Sequence, residues 1–204
     1  MESVAGTLTA AAGSADAKRT RILDGALKVF LAYGFGRTTM DDIARAAELS
    51  RPALYLVFRN KTDIYRELGR GLLAEVLRRA EMALAGPGTL LERLDHMTCF
   101  AFFDLFQHIE ESPHGSELFD IKTSLAGDLM ADWRLRMVEL LERAIADEAS
   151  TANVDLAACE LTPKALAEVF LDSLEGMKSR LSGPRCHLEA SQTSARVLAA
   201  ALRR

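Results

Sequence analysis

Long apolar runs are missing from this 204-residue chain. None approaches the roughly 18 residues that a membrane-spanning helix needs, so no membrane partner is expected. Cysteine is scarce as well. Cys99, Cys159 and Cys186 lie far apart, are odd in number and follow no metal-binding spacing. They provide no disulfide framework, and the expectation is a reduced, cytoplasmic protein. His96, His108 and His114 show no i,i+4 pairing, so no metal site is expected. Alternating strand patterns are almost absent. There is no phosphate loop, no nucleophile motif and no pair of carboxylates at catalytic spacing, so neither an enzyme nor a cofactor is indicated. The opening MESVAGTLTAAAGSADAK lacks the basic segment of a signal peptide. Its Ala/Gly/Ser/Thr bias predicts a disordered tail over residues 1–15.

What is present is an ordinary globular composition, 49% hydrophobic and 26% charged, long enough to bury a core. The net charge of −4 hides an asymmetry. From Lys18 to Arg70 eleven cations face six anions, a local balance of +5, and the part after Arg70 carries −7. A basic segment on an acidic body suits a polyanion as partner of the first part only.

Helical periodicity runs through the whole chain and predicts an all-α fold of about nine helices. The first spans about Asp16 to Tyr33, with Ile22, Leu23, Ala26, Leu27 and Phe30 inward and Gly34 as its left-handed terminator. The second begins at Thr38 or Thr39, each with an aspartate three places on, in the manner of a capping box. A short third helix follows, capped by Ser50, carrying Pro52 in its first turn and ending near Phe58. Asn60 caps a long fourth, which GPG at 86–88 closes. The fifth, from about Leu90 to Ile109, turns apolar nearly all round in CFAFFDLF, which predicts burial on both sides. A short helix around Glu117 to Ser124 comes next. A long one then runs to about Glu148 with Leu125, Leu129, Trp133, Met137, Leu140 and Ala144 on one face. Two final helices start at Thr162-Pro163 and after SGPR.

The second and third helices, joined through Glu48-Leu49-Ser50, have the form of a helix-turn-helix, whose second helix enters the major groove of DNA. The run from Arg21 to Tyr65 resembles the N-terminal domain of TetR-family transcriptional regulators. Ile22-Leu23, Ala26, Phe30, Gly34-Phe35, Thr38-Thr39, Ile43-Ala44, Ala47, Leu49-Ser50, Leu54-Tyr55, Phe58, Lys61 and Ile64 carry the resemblance. It covers about a quarter of the chain. It implies a head over 16–63 that binds a double-stranded DNA operator, and an effector-binding and dimerising body over 64–204.

The resemblance assigns phosphate contacts to Thr39 and Lys61, with Thr38 and Ser50 beside the same surface, and a backbone or base contact to Tyr55. Arg51, Pro52, Ala53, Leu56 and Val57 would carry sequence preference, Arg51 through guanine or through phosphate. Packing is the lesser alternative for Tyr55. The chain departs from the family pattern at Glu48, where glycine is usual, so that residue either avoids positive φ or bears strain. It departs again at Leu56 and Val57, where aromatic and polar residues are common.

For the body, the resemblance implies a homodimer released from DNA by a small molecule. Leu94, Met97, Phe102, Leu105, Met130, Trp133 and Met137 are the candidate effector residues, though each also reads as ordinary core. With no charge forced inside, an apolar or aromatic effector is expected. Phe170, Leu174, Met177 and Leu198 are the candidate dimer contacts. Cys99 reads as a redox sensor or as an inert buried thiol. The competing reading is an all-α carrier or enzyme with an incidental helix-turn-helix.

Overall fold

The computed structural model describes residues 14–105, 109, 111–115, 125–180 and 184–202. Among them the regular structure is helical throughout. The helices are α1 (Ser14–Tyr33), α2 (Met40–Ala46), α3 (Arg51–Tyr55), α4 (Lys61–Leu84), α5 (Leu90–Met97), α6 (Gly127–Ala152), α7 (Pro163–Arg180) and α8 (Pro184–Ala201). A π-helical stretch, Thr98–Phe103, continues α5, and a 3₁₀ turn covers Leu156–Cys159. The helix expected near 117–124 lies outside the described residues, as do His108 and most of the expected tail. No described helix is long and apolar enough to cross a membrane.

The chain forms two compact units. One comprises Met1–Glu75 with His108–Ala131, the other Val76–Gln107 with Asp132–Arg204.

In the first unit, Ile22, Ala26 and Phe30 of α1 pack with Ile43 and Ala44 of α2, Leu54 of α3, Phe58, and Ile64, Tyr65 and Leu68 of α4. Leu125, Ala126 and Leu129 cover the same core. Phe30, Phe35 and Tyr65 form an aromatic trio with centroids 5.2 to 6.4 Å apart, two of the three pairs edge-on. Gly34 ends α1 at φ 81, as expected of a left-handed terminator. Gly25 answers a different need. A Cβ there would stand 2.8 Å from the backbone nitrogen of Ala47, so only glycine lets α1 approach the end of α2 this closely.

In the second unit, α8 packs against α7, α5 and the π-helical stretch. On α6 the buried stripe is Trp133, Met137, Leu141, Ala144 and Ile145. Leu141 takes the place expected of Leu140, because the helix advances by 3.6 residues per turn and Met137 and Leu141 share a face. The fifth helix also departs from expectation. Its regular part ends at Met97, and the Asp104 N–H then bonds the Cys99 carbonyl five residues back, the signature of a π-helix. Arg79 donates to the Phe100 carbonyl at 3.1 Å and lies 4.9 Å over the Phe100 ring, while His96 stacks on that ring at 5.5 Å. The all-round apolarity of CFAFFDLF is thus met by cation–π and stacking contacts as well as by burial.

Candidate functional site

The α2–turn–α3 segment is locked by local chemistry. Thr39 is the N-cap of α2. Its hydroxyl accepts from the Asp42 N–H, and the Asp42 carboxylate accepts from the Thr39 N–H at 2.9 Å and hydroxyl at 2.6 Å. This reciprocal box decides the start of α2 in favour of Thr39. Its hydrogen bonds hold the Asp42 carboxyl below its usual range.

The end of α2 is a Schellman motif. The Leu49 N–H reaches the Ala44 carbonyl at 2.9 Å and the Glu48 N–H reaches that of Arg45 at 3.1 Å. The residue in the left-handed position is Glu48, with φ 55, so it bears the strain. An L-residue with a Cβ costs about 1–2 kcal/mol there. From α1, the Arg21 guanidinium donates to the carbonyls of Ala47 and Glu48 at 2.9 and 3.2 Å, pinning the turn. Nothing in the sequence pattern marked Arg21 for that task.

Ser50 caps α3, accepting from the Ala53 N–H at 3.4 Å. The regular helix ends at Tyr55, shorter than the expected end near Phe58. This sorts the stretch cleanly. Leu54 and Phe58 are buried in the head core, and Val57 is half-buried against it. Arg51, Pro52, Tyr55 and Leu56 face out, with Ala53 half-buried between them. Leu56 is 84% exposed, more than any other large apolar side chain among the described residues. It stands next to Tyr55, itself 42% exposed.

Arg51 is already engaged within the protein. It pairs with Asp41 of α2 at 3.1 Å and lies 5.6 Å over the Tyr55 ring. A hydrogen bond with Tyr55 and the Asp41 charge push its pKa higher still. Both partners of the ion pair are more than half exposed, so the pair is weak and exchangeable. Sequence reasoning weighed Asp41 only as a capping partner of Thr38, not as a partner of Arg51.

Two of the expected DNA contacts are engaged within the protein. Thr38 is buried, 2% exposed, and its hydroxyl donates to the Gly34 carbonyl at 2.8 Å, so it has no face to offer. The Lys61 ammonium donates to the carbonyls of Phe35, Gly36 and Thr38 at 2.7, 3.1 and 3.0 Å and sits 4.6 Å over the Phe35 ring. All three of its donors are spent on the α1–α2 connection, so its first role is structural. Beside α3 lies a cleft of about 350 Å³ lined by Arg19, Val57, Phe58, Arg59, Asp63, Arg66, Glu67 and Arg70. Its arginines are paired with acids: Arg19 and Arg70 with Glu67, Arg59 with Asp63, Arg66 with Asp128.

The expected effector residues divide between the units. Met130 belongs to the first, half-buried. In the second, Leu94, Met97 and Met137 are fully buried and Leu105 nearly so. Phe102, from the π-helical stretch, is half-buried and meets Trp133 edge-to-face at 6.2 Å and 79°. Trp133 is 5% exposed, and its Nε1 has no hydrogen-bond acceptor among the described residues. A buried donor left unmet costs about 1–3 kcal/mol. Burial, with Asp104 and Asp95 nearby, pushes the Cys99 thiol up, the behaviour of an inert thiol. No group of His, Cys, Asp and Glu among the described residues could hold a metal ion.

The expected dimer residues lie as follows in the protomer. Phe170, Met177 and Leu198 are buried within the protomer itself, and Leu174 is half-buried. Their faces are used where α7 and α8 pack inside the second unit. The large apolar side chains that α7 and α8 turn outward are Val169 and Val197, 65% and 68% exposed.

Residues 22–68 match the family model described as bacterial regulatory proteins, tetR family. Over 87 residues the chain is 32% identical to an uncharacterized HTH-type transcriptional regulator, YhgD of Bacillus subtilis (strain 168), covering 43% of this chain and 45% of YhgD. It is 43% identical over 53 residues to the HTH-type transcriptional regulator SrpR of Pseudomonas putida, covering 26% of this chain and 25% of SrpR. The chain thus spans less than half the length of these curated relatives. Solved structures match over nearly the whole length. SmeT, the repressor of the Stenotrophomonas maltophilia multidrug efflux pump SmeDEF, aligns at TM-score 0.65 with 17% identity, covering 93% of this chain and 91% of SmeT. PfmR, a TetR-family regulator from Thermus thermophilus, aligns at TM-score 0.64 with 22% identity, covering 90% of this chain and 100% of PfmR. These likenesses show the fold of the whole, and over residues 22–68 the chain is similar to the tetR family of bacterial regulatory proteins.

Proposed function

We propose that this protein is a ligand-responsive repressor that binds a pseudo-palindromic DNA operator as a homodimer. The observation that carries the reading is the outward face of α3. Arg51, Pro52, Tyr55 and Leu56 project together from a helix fixed by the Thr39–Asp42 box, the Arg21-pinned turn and the Ser50 cap. Such a helix presents its N-terminal residues to base edges in the major groove.

Ser50, at the start of α3, offers its hydroxyl to a phosphate, and Thr39 does so by exchanging its donors from the Asp42 carboxylate; such contacts position the protein without reading sequence. Arg51 exchanges Asp41 for guanine O6 and N7 or for a phosphate. Leu56 and Tyr55 supply apolar and stacking contact, and thymine methyl groups are the matching base feature. Val57, Thr38 and Lys61 act from behind, as core and scaffold.

Dimerisation follows the same logic of unsatisfied surface. Val169 and Val197 are proposed to meet their copies across a two-fold axis, which sets two α3 helices on successive half-sites about 34–36 Å or a multiple apart. The effector is proposed to enter the second unit beside Phe102 and Trp133. It shifts the protein between states only by its differential affinity for them. The relative SmeT has been solved as a complex with triclosan, an aromatic molecule, which supports an aromatic effector for this fold.

The test is retardation of DNA carrying the protein's own upstream region, together with its oligomeric state by analytical ultracentrifugation. The proposal expects retardation by a dimer, lost in Tyr55→Ala, and a monomer in the Val169→Arg, Val197→Arg double variant. An α-helical carrier or enzyme would retard no DNA even at low salt.

A further inference from the structure

Trp133 is an odd choice for its position. It is nearly fully buried, yet its indole N–H has no acceptor among the described residues. Buried tryptophans ordinarily place that N–H against a partner, and a phenylalanine would have filled the site without the penalty. The chain contains a single tryptophan, and it stands here. Its ring meets Phe102 edge-to-face, and Phe102 lies on the π-helical Thr98–Phe103. A π-helical stretch inserts one residue into the α-helical count, and it persists mostly at functional positions. Phe102 is half-buried.

The surroundings on the same two elements are apolar. Met137 lies one turn along α6 from Trp133, and Leu105 follows Phe102 by three residues, and both are buried. An ion brought to one neutral N–H in such a setting would be poorly compensated. A neutral acceptor on a flat, apolar frame would satisfy the donor and cover the ring.

We propose that the effector is an aromatic molecule bearing an uncharged hydrogen-bond acceptor, which Trp133 Nε1–H recognises while Phe102 packs on its ring. This rests on the effector site of the proposed function and names the chemistry it selects. The indole N–H is the orientation-setting group.

The isosteric pair quinoline and naphthalene separates the acceptor from the frame. Both are titrated into the full-length protein by calorimetry, at a pH where quinoline is neutral, and into its Trp133→Phe variant. The indole ¹H–¹⁵N resonance of the wild type is followed in parallel and needs no variant, and with one tryptophan there is one such signal. Quinoline should move that signal downfield and naphthalene should not. The quinoline-to-naphthalene affinity ratio should fall about 5- to 10-fold in Trp133→Phe, the worth of one net hydrogen bond.

An unchanged ratio with no downfield movement, while naphthalene still binds, overturns the role of Trp133 and leaves the effector site standing. An indole signal that shows contact with a resident water and ignores quinoline also overturns it. Failure of both probes to bind overturns the proposal together with the aromatic effector site on which it rests.

Discussion

Replacing Gly25 with alanine should destabilise the head, although helix propensity alone forecasts the opposite. Gly25 lies inside α1, where alanine is favoured over glycine by about 1 kcal/mol. The geometry opposes this. A Cβ at Gly25 falls 2.8 Å from Ala47 N, 3.0 Å from Ala46 C and 3.1 Å from Ala47 Cα. Ordinary contact begins at 3.4 Å, so the shortfall is 0.6 Å. Every atom it meets is backbone, held by the Ala47 and Leu49 N–H bonds to Ile43 and Ala44, so no side chain can swing aside. Forcing a methyl group into such a contact costs toward the upper end of about 1–3 kcal/mol and exceeds the propensity gain, for a net loss of up to about 2 kcal/mol. Gly69 is the control. It too is inside a helix, α4, but its added Cβ would meet nothing within 4 Å. Gly69→Ala should gain about 0.4–1 kcal/mol. Urea denaturation followed by circular dichroism measures both. If Gly25→Ala is stabilised as much as Gly69→Ala, the close approach of α1 to α2 is wrong.

Glu48→Gly should raise the melting temperature, because relief of about 1–2 kcal/mol of left-handed strain exceeds the extra chain entropy of glycine, about 0.5–1 kcal/mol. The lost Glu48–Arg21 contact, 3.7 Å with Glu48 87% exposed, offsets little, and a lower melting temperature would refute the strain. Asp128 is held by Arg66 through two hydrogen bonds, at 2.9 and 2.6 Å, which bring its carboxyl from 3.8 down to about 2. A depressed carboxyl contributes stability that is present above its unfolded value and is lost as pH falls through the folded one. Asp128→Asn should therefore be less stable than wild type at neutral pH, with the difference closing between pH 3.8 and about 2; a gap that persists at the acid end would contradict it. Lys61→Met should lower the melting temperature by freeing three carbonyls, and should leave the salt slope of DNA binding unchanged. A slope reduced by about one would restore Lys61 as a phosphate contact.

Much of the head was legible because its signals are local. A capping pattern, a helix terminator and a short proline-started helix are each written within a few residues, and Thr39, Gly34, Ser50 and Asn60 occupy the places their chemistry demands. What was not legible depends on contacts between distant segments. Lys61 meets carbonyls 23 to 26 positions away, and Arg21 meets a turn 26 to 27 positions away. Neither partner is visible from spacing. Thr38 and Thr39 are chemically alike, and only the packing of α1 decides that one is buried while the other caps. On α7 and α8 the periodicity correctly marks strong apolar faces, but periodicity does not say whether such a face closes within the protomer or against a second copy. Phe170, Met177 and Leu198 are the inward answer, and Val169 and Val197 are left outside. In CFAFFDLF the composition is unusual, but nothing in it foretold the π-helical winding of Thr98–Phe103.

Fluorescence anisotropy of the upstream DNA, titrated with wild type, Tyr55→Ala and Arg51→Ala across a range of salt, tests the central claim most directly. The account predicts saturable binding by wild type. Tyr55→Ala should weaken it, and Arg51→Ala should cost about 1–3 kcal/mol with relaxed preference if the guanidinium reads a base, or lower the salt slope by about one if it holds a phosphate. Binding by wild type that neither substitution alters would contradict the assignment of the α3 face as the surface that meets DNA.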